Sequence, residues 1–91
     1  MKTDFLEILF KMAEIKVTGA RQQAVVYILF KLGPMRHTEI FNQLPKDWAA
    51  RNIQLGPLID KKIIVKKRTM FNGRTYPEYR LREEITQFLE S

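Results

Sequence analysis

An Asn-Gly pair, Asn72-Gly73, separates two segments, 63–70 and 74–82, that are rich in β-branched, aromatic and basic residues. Asn-Gly between two such segments favours a two-residue turn, because both central residues of that turn adopt a positive φ. A two-residue turn fixes the register and predicts three cross-strand pairs: Phe71 with Arg74, Lys67 with Glu78, and Ile64 with Leu81. The last two are favourable neighbours in a sheet. The sequence therefore predicts an antiparallel hairpin, with Pro77 on an edge of the sheet because proline has no N–H to donate.

Most of the remaining chain has helical features. Apolar and polar residues recur at helical spacing in five segments: 3–15, 19–32, 39–44, a stretch from Trp48 to Lys61 or Lys62, and 83–90. Thr18, Thr38 and Asp47 are predicted to cap the second, third and fourth helices. Gly33 and Pro34 are predicted to end the second helix, with Gly33 as a left-handed C-cap.

Two short segments interrupt this helical pattern. Residues 35–37 are predicted to be extended, with His37 as a partly buried structural residue between two helices. Gly56-Pro57 lies inside the fourth helical segment, where proline removes a backbone hydrogen bond and clashes with the preceding turn. Either the helix kinks there, or it ends near Leu55 and a new turn begins at Pro57.

Positive charge is concentrated in and around the predicted hairpin. Sixteen Lys and Arg against ten Asp and Glu give the 91 residues a net charge of +6 and a pI near 9.8. Residues 61–82 contain eight basic residues and one acidic residue, Glu78. A pI this high in a small domain is typical of proteins that bind polyanions. The alternative is a solvated charged surface without a partner.

Composition excludes several other classes of protein. The length fits a single domain, 1–91. The sequence has no cysteine and one histidine, which argues against a disulfide scaffold, a zinc finger or a histidine-rich metal site. No apolar run approaches the roughly 18 residues of a membrane span, so we expect a cytoplasmic protein. No catalytic constellation is recognisable, and Glu83-Glu84 are adjacent rather than convergent; we expect no enzyme activity, metal or cofactor.

The first helix has an apolar arc wider than a small domain normally needs for its own core. This width predicts a homodimer, in which the first and last helices contribute the interface residues: Phe5, Leu6, Leu9, Phe10, Ala13, Phe88 and Leu89. The alternative is that the first helix is simply enclosed within the monomer.

Helices followed by a basic hairpin resemble the winged helix-turn-helix, an α+β and mostly helical fold with a two-stranded wing. Residues 32–40, LGPMRHTEI, are similar to the entry to the second core helix in regulators of the MarR, HxlR and PadR type and in small winged-helix proteins of archaea and their viruses. Residues 58–67, LIDKKIIVKK, are similar to their passage from recognition helix to wing, although Lys62 stands where glycine is common. Under this resemblance the domain has three parts: a dimerisation helix at 1–16, a winged-helix core at 18–82 and a C-terminal helix at 83–91.

The resemblance implies a sequence-specific regulator of transcription that binds double-stranded DNA as a homodimer. The recognition helix would include Trp48, Arg51, Asn52 and Gln54. Of these, Arg51, Asn52 and Gln54 would face the major groove, and Trp48 is expected to pack beneath the turn rather than contact a base. The wing would contact the minor groove or backbone through Lys66, Lys67, Arg68, Asn72, Gly73, Arg74 and Tyr76. Phosphate contacts are expected from Arg36, Lys46 and Lys61.

Two other functions remain open at this point. A basic domain of this kind could bind nucleic acid without sequence preference, as architectural proteins do. A winged helix can also serve only as a protein-interaction module, because a fold does not determine a function. RNA ranks below DNA, because readers of RNA usually expose stacking aromatics on a sheet and the aromatics here cluster in the predicted helices.

Overall fold

The computed structural model describes residues 5–45, 47 and 55–91. This part of the chain forms a small α+β domain, about half helical. Its helices are α1 (Phe5–Glu14), α2 (Ala20–Leu32), α3 (His37–Asn42), α4 (Gly56–Asp60) and α5 (Glu83–Glu90), and its strands are β1 (Met35–Arg36), β2 (Ile64–Phe71) and β3 (Arg74–Leu81). The described strands form one antiparallel sheet in the order β1-β3-β2. β2 and β3 form the predicted hairpin, and β1 pairs with β3 on the side away from β2.

The hairpin has the predicted turn and register. Asn72 and Gly73 have φ values of 52° and 76°, the positive values that a two-residue turn of this kind requires. The strands pair as expected: Phe71 with Arg74, Lys67 with Glu78, and Ile64 with Leu81. A local signal, two residues long, therefore determines the pairing of sixteen strand residues.

β3 is the central strand of the sheet, but β1 pairs with it only at Glu78 and Tyr79. At Pro77 the sheet therefore has a neighbouring strand on one side alone, which agrees with the predicted edge position. Hydrogen-bonded and non-hydrogen-bonded pairs alternate along an antiparallel ladder, and the residues that flank the turn form a hydrogen-bonded pair. Pro77, opposite Arg68, therefore belongs to a non-hydrogen-bonded pair, and its nitrogen faces away from β2. β1 extends only as far as the Arg36–Glu78 pair, so the proline displaces no hydrogen bond of the sheet.

The ends of α2 differ in detail from the prediction. The helix begins one residue later than expected, so its N-cap residue is Gly19 rather than Thr18. No side chain of the described residues forms a capping hydrogen bond at this end. At the other end, Gly33 has the expected positive φ of 88°, but its ψ of −171° is extended rather than left-handed helical. Its N–H donates to the carbonyl of Leu29 at 3.0 Å, and the extended ψ leads directly into β1.

α3 begins earlier than predicted, so Thr38 is not its cap. Arg36 occupies the N-cap position, and its backbone N–H donates to Glu39 Oε1 at 2.9 Å. His37 is exposed rather than partly buried between helices. Its ring lies on the surface against Phe41, with centroids 4.1 Å apart, and 6.2 Å from the ring of Tyr79.

α4 is a short helix that begins at Gly56. Pro57 is in its first turn, where the missing N–H has no helical partner to lose. The choice between a kinked helix and one that ends near Leu55 depends on residues 48–54, which lie outside the described part of the chain. The helix ends at Asp60, one or two residues before the predicted end. Lys62 follows with a φ of 62°, the left-handed conformation that explains why glycine is common at this position of the resemblance.

The hydrophobic core includes residues from every described helix and from both long strands. The side chains with less than 2% exposure are Ile8, Met12, Val17, Val25, Val26, Ile40, Leu58, Ile64 and Leu89. Leu89 is therefore an internal residue, and its predicted place in a dimer interface is a misassignment. Within residues 5–45, 47 and 55–91, no helix has the length and apolar character needed to cross a membrane.

Candidate functional site

The pleat of the hairpin divides the predicted wing residues between two faces. Ile64, Tyr79 and Leu81 are buried, and they identify the face that packs on the helices. Because side chains alternate along a strand, Lys66, Arg68 and Met70 project on this same side, which we call the core face. The opposite side, the outer face, carries these residues: Val65, Lys67, Thr69, Phe71, Arg74, Tyr76, Glu78 and Arg80. The predicted cluster of Lys66, Lys67 and Arg68 is thus split between faces.

The far half of the core face is cationic and exposed. Lys66 and Arg68 are exposed, and they are opposite Tyr79 and Pro77, neither of which carries a charge. Neither cation forms an ion pair with any described residue. Met70 continues this row towards the turn and is 75% exposed. The row therefore presents two unneutralised cations and an apolar side chain to solvent.

The outer face has a different character, because its cations lie among carboxylates and aromatic rings. Arg80 Nη2 donates to Glu78 Oε1 at 3.0 Å. The guanidinium of Arg36, which the pairing of β1 with β3 brings to this face, lies 5.4 Å from the ring centroid of Phe71 and 5.2 Å from that of Tyr76. These distances are those of cation–π contacts. Tyr76 is half-buried here and contacts Arg36.

Arg36 also connects this face to the start of α3. Its Nε donates to Glu39 Oε1 at 3.2 Å, in addition to the backbone hydrogen bond at the same oxygen. The predicted role of Arg36 was a phosphate contact. Its observed contacts instead hold the hairpin against the N-terminus of α3, and a phosphate would have to compete with Glu39 for the guanidinium.

These hydrogen bonds give a pH-dependent prediction for Glu39. The backbone N–H of Arg36, and then its side chain, lower the pKa of Glu39 below the ordinary value of 4.5. The carboxylate therefore stabilises the fold above pH 4.5, and this contribution is lost as the pH falls through the lowered pKa. NMR titration of the Glu39 carboxyl is expected to give a pKa below 4.5. In Arg36→Met the value should rise only part of the way, because the backbone donor remains; a full return to 4.5 would contradict the assignment.

Two of the three predicted phosphate contacts, Arg36 and Lys61, lie in the described part of the chain, and each has contacts within the protein. Lys61 Nζ donates to the backbone carbonyl of Lys16 at 2.8 Å, which ties the end of α4 to the turn after α1. Arg36 is engaged on the outer face of the sheet. Lys46 lies outside the described residues, as do all four predicted residues of the recognition helix: Trp48, Arg51, Asn52 and Gln54.

The predicted dimer residues divide into exposed and internal ones. On α1, the side chains of Phe5, Leu6 and Phe10 are 52%, 58% and 63% exposed, and Ala13 is exposed beside them. Ile8 and Met12, on the opposite side of α1, are buried in the core. The apolar residues of α1 are therefore divided between the core and an exposed surface, and whether a second copy covers that surface stays a prediction. The exposed set forms an apolar patch on α1.

Leu9 and Phe88 have partners within the chain. Leu9 is half-buried and lines a largely apolar groove of about 470 Å³ between α1, α2 and the end of α3. Phe5 borders the same groove and meets Tyr27 edge to face, with ring centroids 5.0 Å apart. Phe88 is half-buried, with Lys11 Nζ 5.9 Å from its ring centroid, and Lys11 also donates to the carbonyl of Ser91. No pattern in the sequence predicts this groove, because its walls come from separate parts of the chain.

Comparison with known proteins returned no match to a protein-family model, to a curated protein or to a solved structure. Within the described part of the chain, no group of three or more His, Cys, Asp or Glu residues could hold a metal ion.

Proposed function

We propose that this chain is a winged helix-turn-helix regulator of transcription that binds double-stranded DNA as a homodimer. The observation that carries the proposal is the projecting basic hairpin, whose core face presents Lys66 and Arg68 without neutralising partners among the described residues. Unpaired cations on a narrow ribbon suit a polyanion, because each phosphate contact releases a condensed counterion. The small turn at Asn72-Gly73 allows the ribbon to approach a groove closely.

The order of elements supports the same proposal. α2, the short β1, α3 and α4 precede the hairpin, and this order of helices followed by a basic hairpin is the one on which the resemblance rests. Sequence readout would come from Arg51, Asn52 and Gln54, the predicted recognition residues, through the donors and acceptors of the major groove. The exposed apolar patch on α1 supplies a surface for the second copy. A two-fold dimer would place its recognition helices about 34–36 Å apart on a pseudo-palindrome.

Fluorescence anisotropy with a random duplex and with a selected DNA pool, repeated across salt concentrations, tests this function. We expect the logarithm of the affinity to fall linearly with the logarithm of salt, with a slope of several counterions. We also expect a clear preference within the pool, which Arg51→Ala should relax, whereas Arg74→Ala should weaken all sequences evenly.

Two results would contradict the proposal in different ways. A steep salt dependence without any sequence preference would indicate an architectural DNA binder. An architectural binder could also use the face that carries Lys66 and Arg68 and no acidic residue, since phosphate contacts carry no sequence information. Absence of binding at low salt would exclude DNA as the partner and favour a protein-interaction module.

A further inference from the structure

The two faces of the hairpin differ in their suitability for DNA. On the outer face, Glu78 pairs with Arg80, and Glu39 holds Arg36 at the rim of the same face. A phosphate backbone lying there would meet two carboxylates. On the far half of the core face, the residues that line the row are Lys66, Arg68 and Met70, with Thr75, Pro77 and Tyr79 opposite them. No residue in this set is acidic, so this face has no comparable repulsion.

Met70 and Phe71 are the large apolar residues next to the turn, and only one of them is free to leave the protein surface. Phe71 is 56% exposed, but its ring lies beneath the Arg36 guanidinium. Met70 is 75% exposed, the highest value among the exposed large apolar side chains of the described residues. Methionine is unbranched and flexible, and it is among the side chains that proteins insert between base pairs from the minor groove.

We propose that the hairpin lies on DNA through its core face, with Lys66 and Arg68 on the phosphates and Met70 inserted as a wedge at a base step, so that binding bends the duplex. This inference rests on the proposed DNA-binding function and adds the contacting face and the deformation. The minor groove is only about 6 Å wide. The slender side chain of Met70, beside the tight turn, therefore fits it better than the rings of Phe71 and Tyr76, which are packed against Arg36. The energy lost in unstacking is offset by the additional contacts that a bent duplex makes with the ribbon.

The contacting face is tested with two neighbouring lysines. Lys66→Ala and Lys67→Ala remove the same charge from adjacent exposed positions on opposite faces of β2. We expect Lys66→Ala to weaken binding to all duplexes and to reduce the salt slope by about 1, the effect of losing one phosphate contact. Lys67, which the sequence placed among the wing contacts, lies on the opposite face, so Lys67→Ala should reduce the slope less than Lys66→Ala does. Equal effects of the two substitutions, or a larger effect of Lys67→Ala, would overturn the assignment of the face.

The wedge is tested by the bend angle, measured by energy transfer between dyes at the ends of a short duplex. The wild type is expected to bend DNA by about 20° or more, within the range that inserted side chains produce. Met70→Gln should bind with a smaller bend, whereas Met70→Leu, which keeps an apolar side chain, should retain the bend. Circular dichroism melting curves should be alike for the three proteins, because Met70 is exposed.

The outcomes separate the wedge from the function on which it rests. If Met70→Gln binds and bends DNA like the wild type, the wedge is excluded while DNA binding stands. If the wild type does not bind any duplex at low salt, the proposed function itself fails. Binding of the wild type to vesicles of phosphatidylserine and phosphatidylcholine, without binding to duplex, would assign the basic and apolar row to a membrane surface and overturn both.

Discussion

Replacing Leu89 by alanine is expected to lower the free energy of unfolding by about 2–5 kcal/mol, because the substitution removes three carbon atoms from a fully buried site and leaves a cavity. Leu89 has 0% exposure in the core, where α5 packs against α1. For a domain of this size such a loss corresponds to a drop in Tm of roughly 10–30 °C. Thermal and urea unfolding, followed by circular dichroism, would measure it.

Phe10→Ala is the matched control for Leu89→Ala. Phe10 is 63% exposed on the apolar patch of α1, so its truncation should change the stability of the monomer by no more than about 0.5 kcal/mol. It should instead shift the sedimentation of the protein towards the monomer, since the patch is the proposed dimer surface. If Leu89→Ala unfolds like the wild type, or if only Phe10→Ala destabilises a dilute monomer, the division between core and surface is incorrect.

Gly33→Ala is expected to destabilise the protein by about 1–3 kcal/mol without creating any steric clash. The φ of 88° and ψ of −171° place Gly33 in a region of conformational space that is accessible essentially to glycine alone. A Cβ at this position would have no atom within 4 Å among the described residues, so the whole effect would come from the backbone. Denaturant unfolding would measure this change in stability: the midpoint should move to a lower denaturant concentration, while the slope of the free energy of unfolding against denaturant stays constant.

Gly19→Ala provides the comparison at the other end of the same helix. Gly19 has a φ of −75° and a ψ of 139°, which any residue adopts, and a Cβ there also has open space. We expect a net effect within about 0.5 kcal/mol, because the preference for glycine over alanine at an N-cap is offset by the restriction that alanine places on the unfolded chain. Similar losses for the two variants would show that the conformation of Gly33 is not the cause.

The features predicted correctly from the sequence share a local origin. The turn at Asn72-Gly73 needs two residues, and the register of β2 and β3 follows from it by counting. The limits of α5, Glu83–Glu90, agree with the prediction because its apolar spacing is short and uninterrupted. The partition of Lys66 and Lys67 between faces was also implicit in that register, since alternate residues of a strand point in opposite directions.

The caps of α2 and α3 were predicted less well. Thr18 and Thr38 are both good cap residues by type, yet each helix begins one or two residues away from the position that would use them. At α3, the carboxylate of Glu39 satisfies the N–H of Arg36, and this hydrogen bond competes successfully with a threonine cap. Propensity differences at a helix end amount to about 1 kcal/mol, so tertiary contacts readily decide between neighbouring starting points.

The hairpin, its turn, its register and its concentration of positive charge follow from the amino-acid sequence, because these features depend on neighbouring residues and on composition. The folded chain was needed to show that Leu89 is internal, that Arg36 stacks on Phe71 and Tyr76, and that β3 is the central strand. Each of these depends on contacts between residues that are far apart in the chain. From the sequence, the apolar residues of α1 suit either the core or a second copy, and Arg36 suits either a phosphate or an aromatic ring. The packing of the folded chain determines which of these contacts forms.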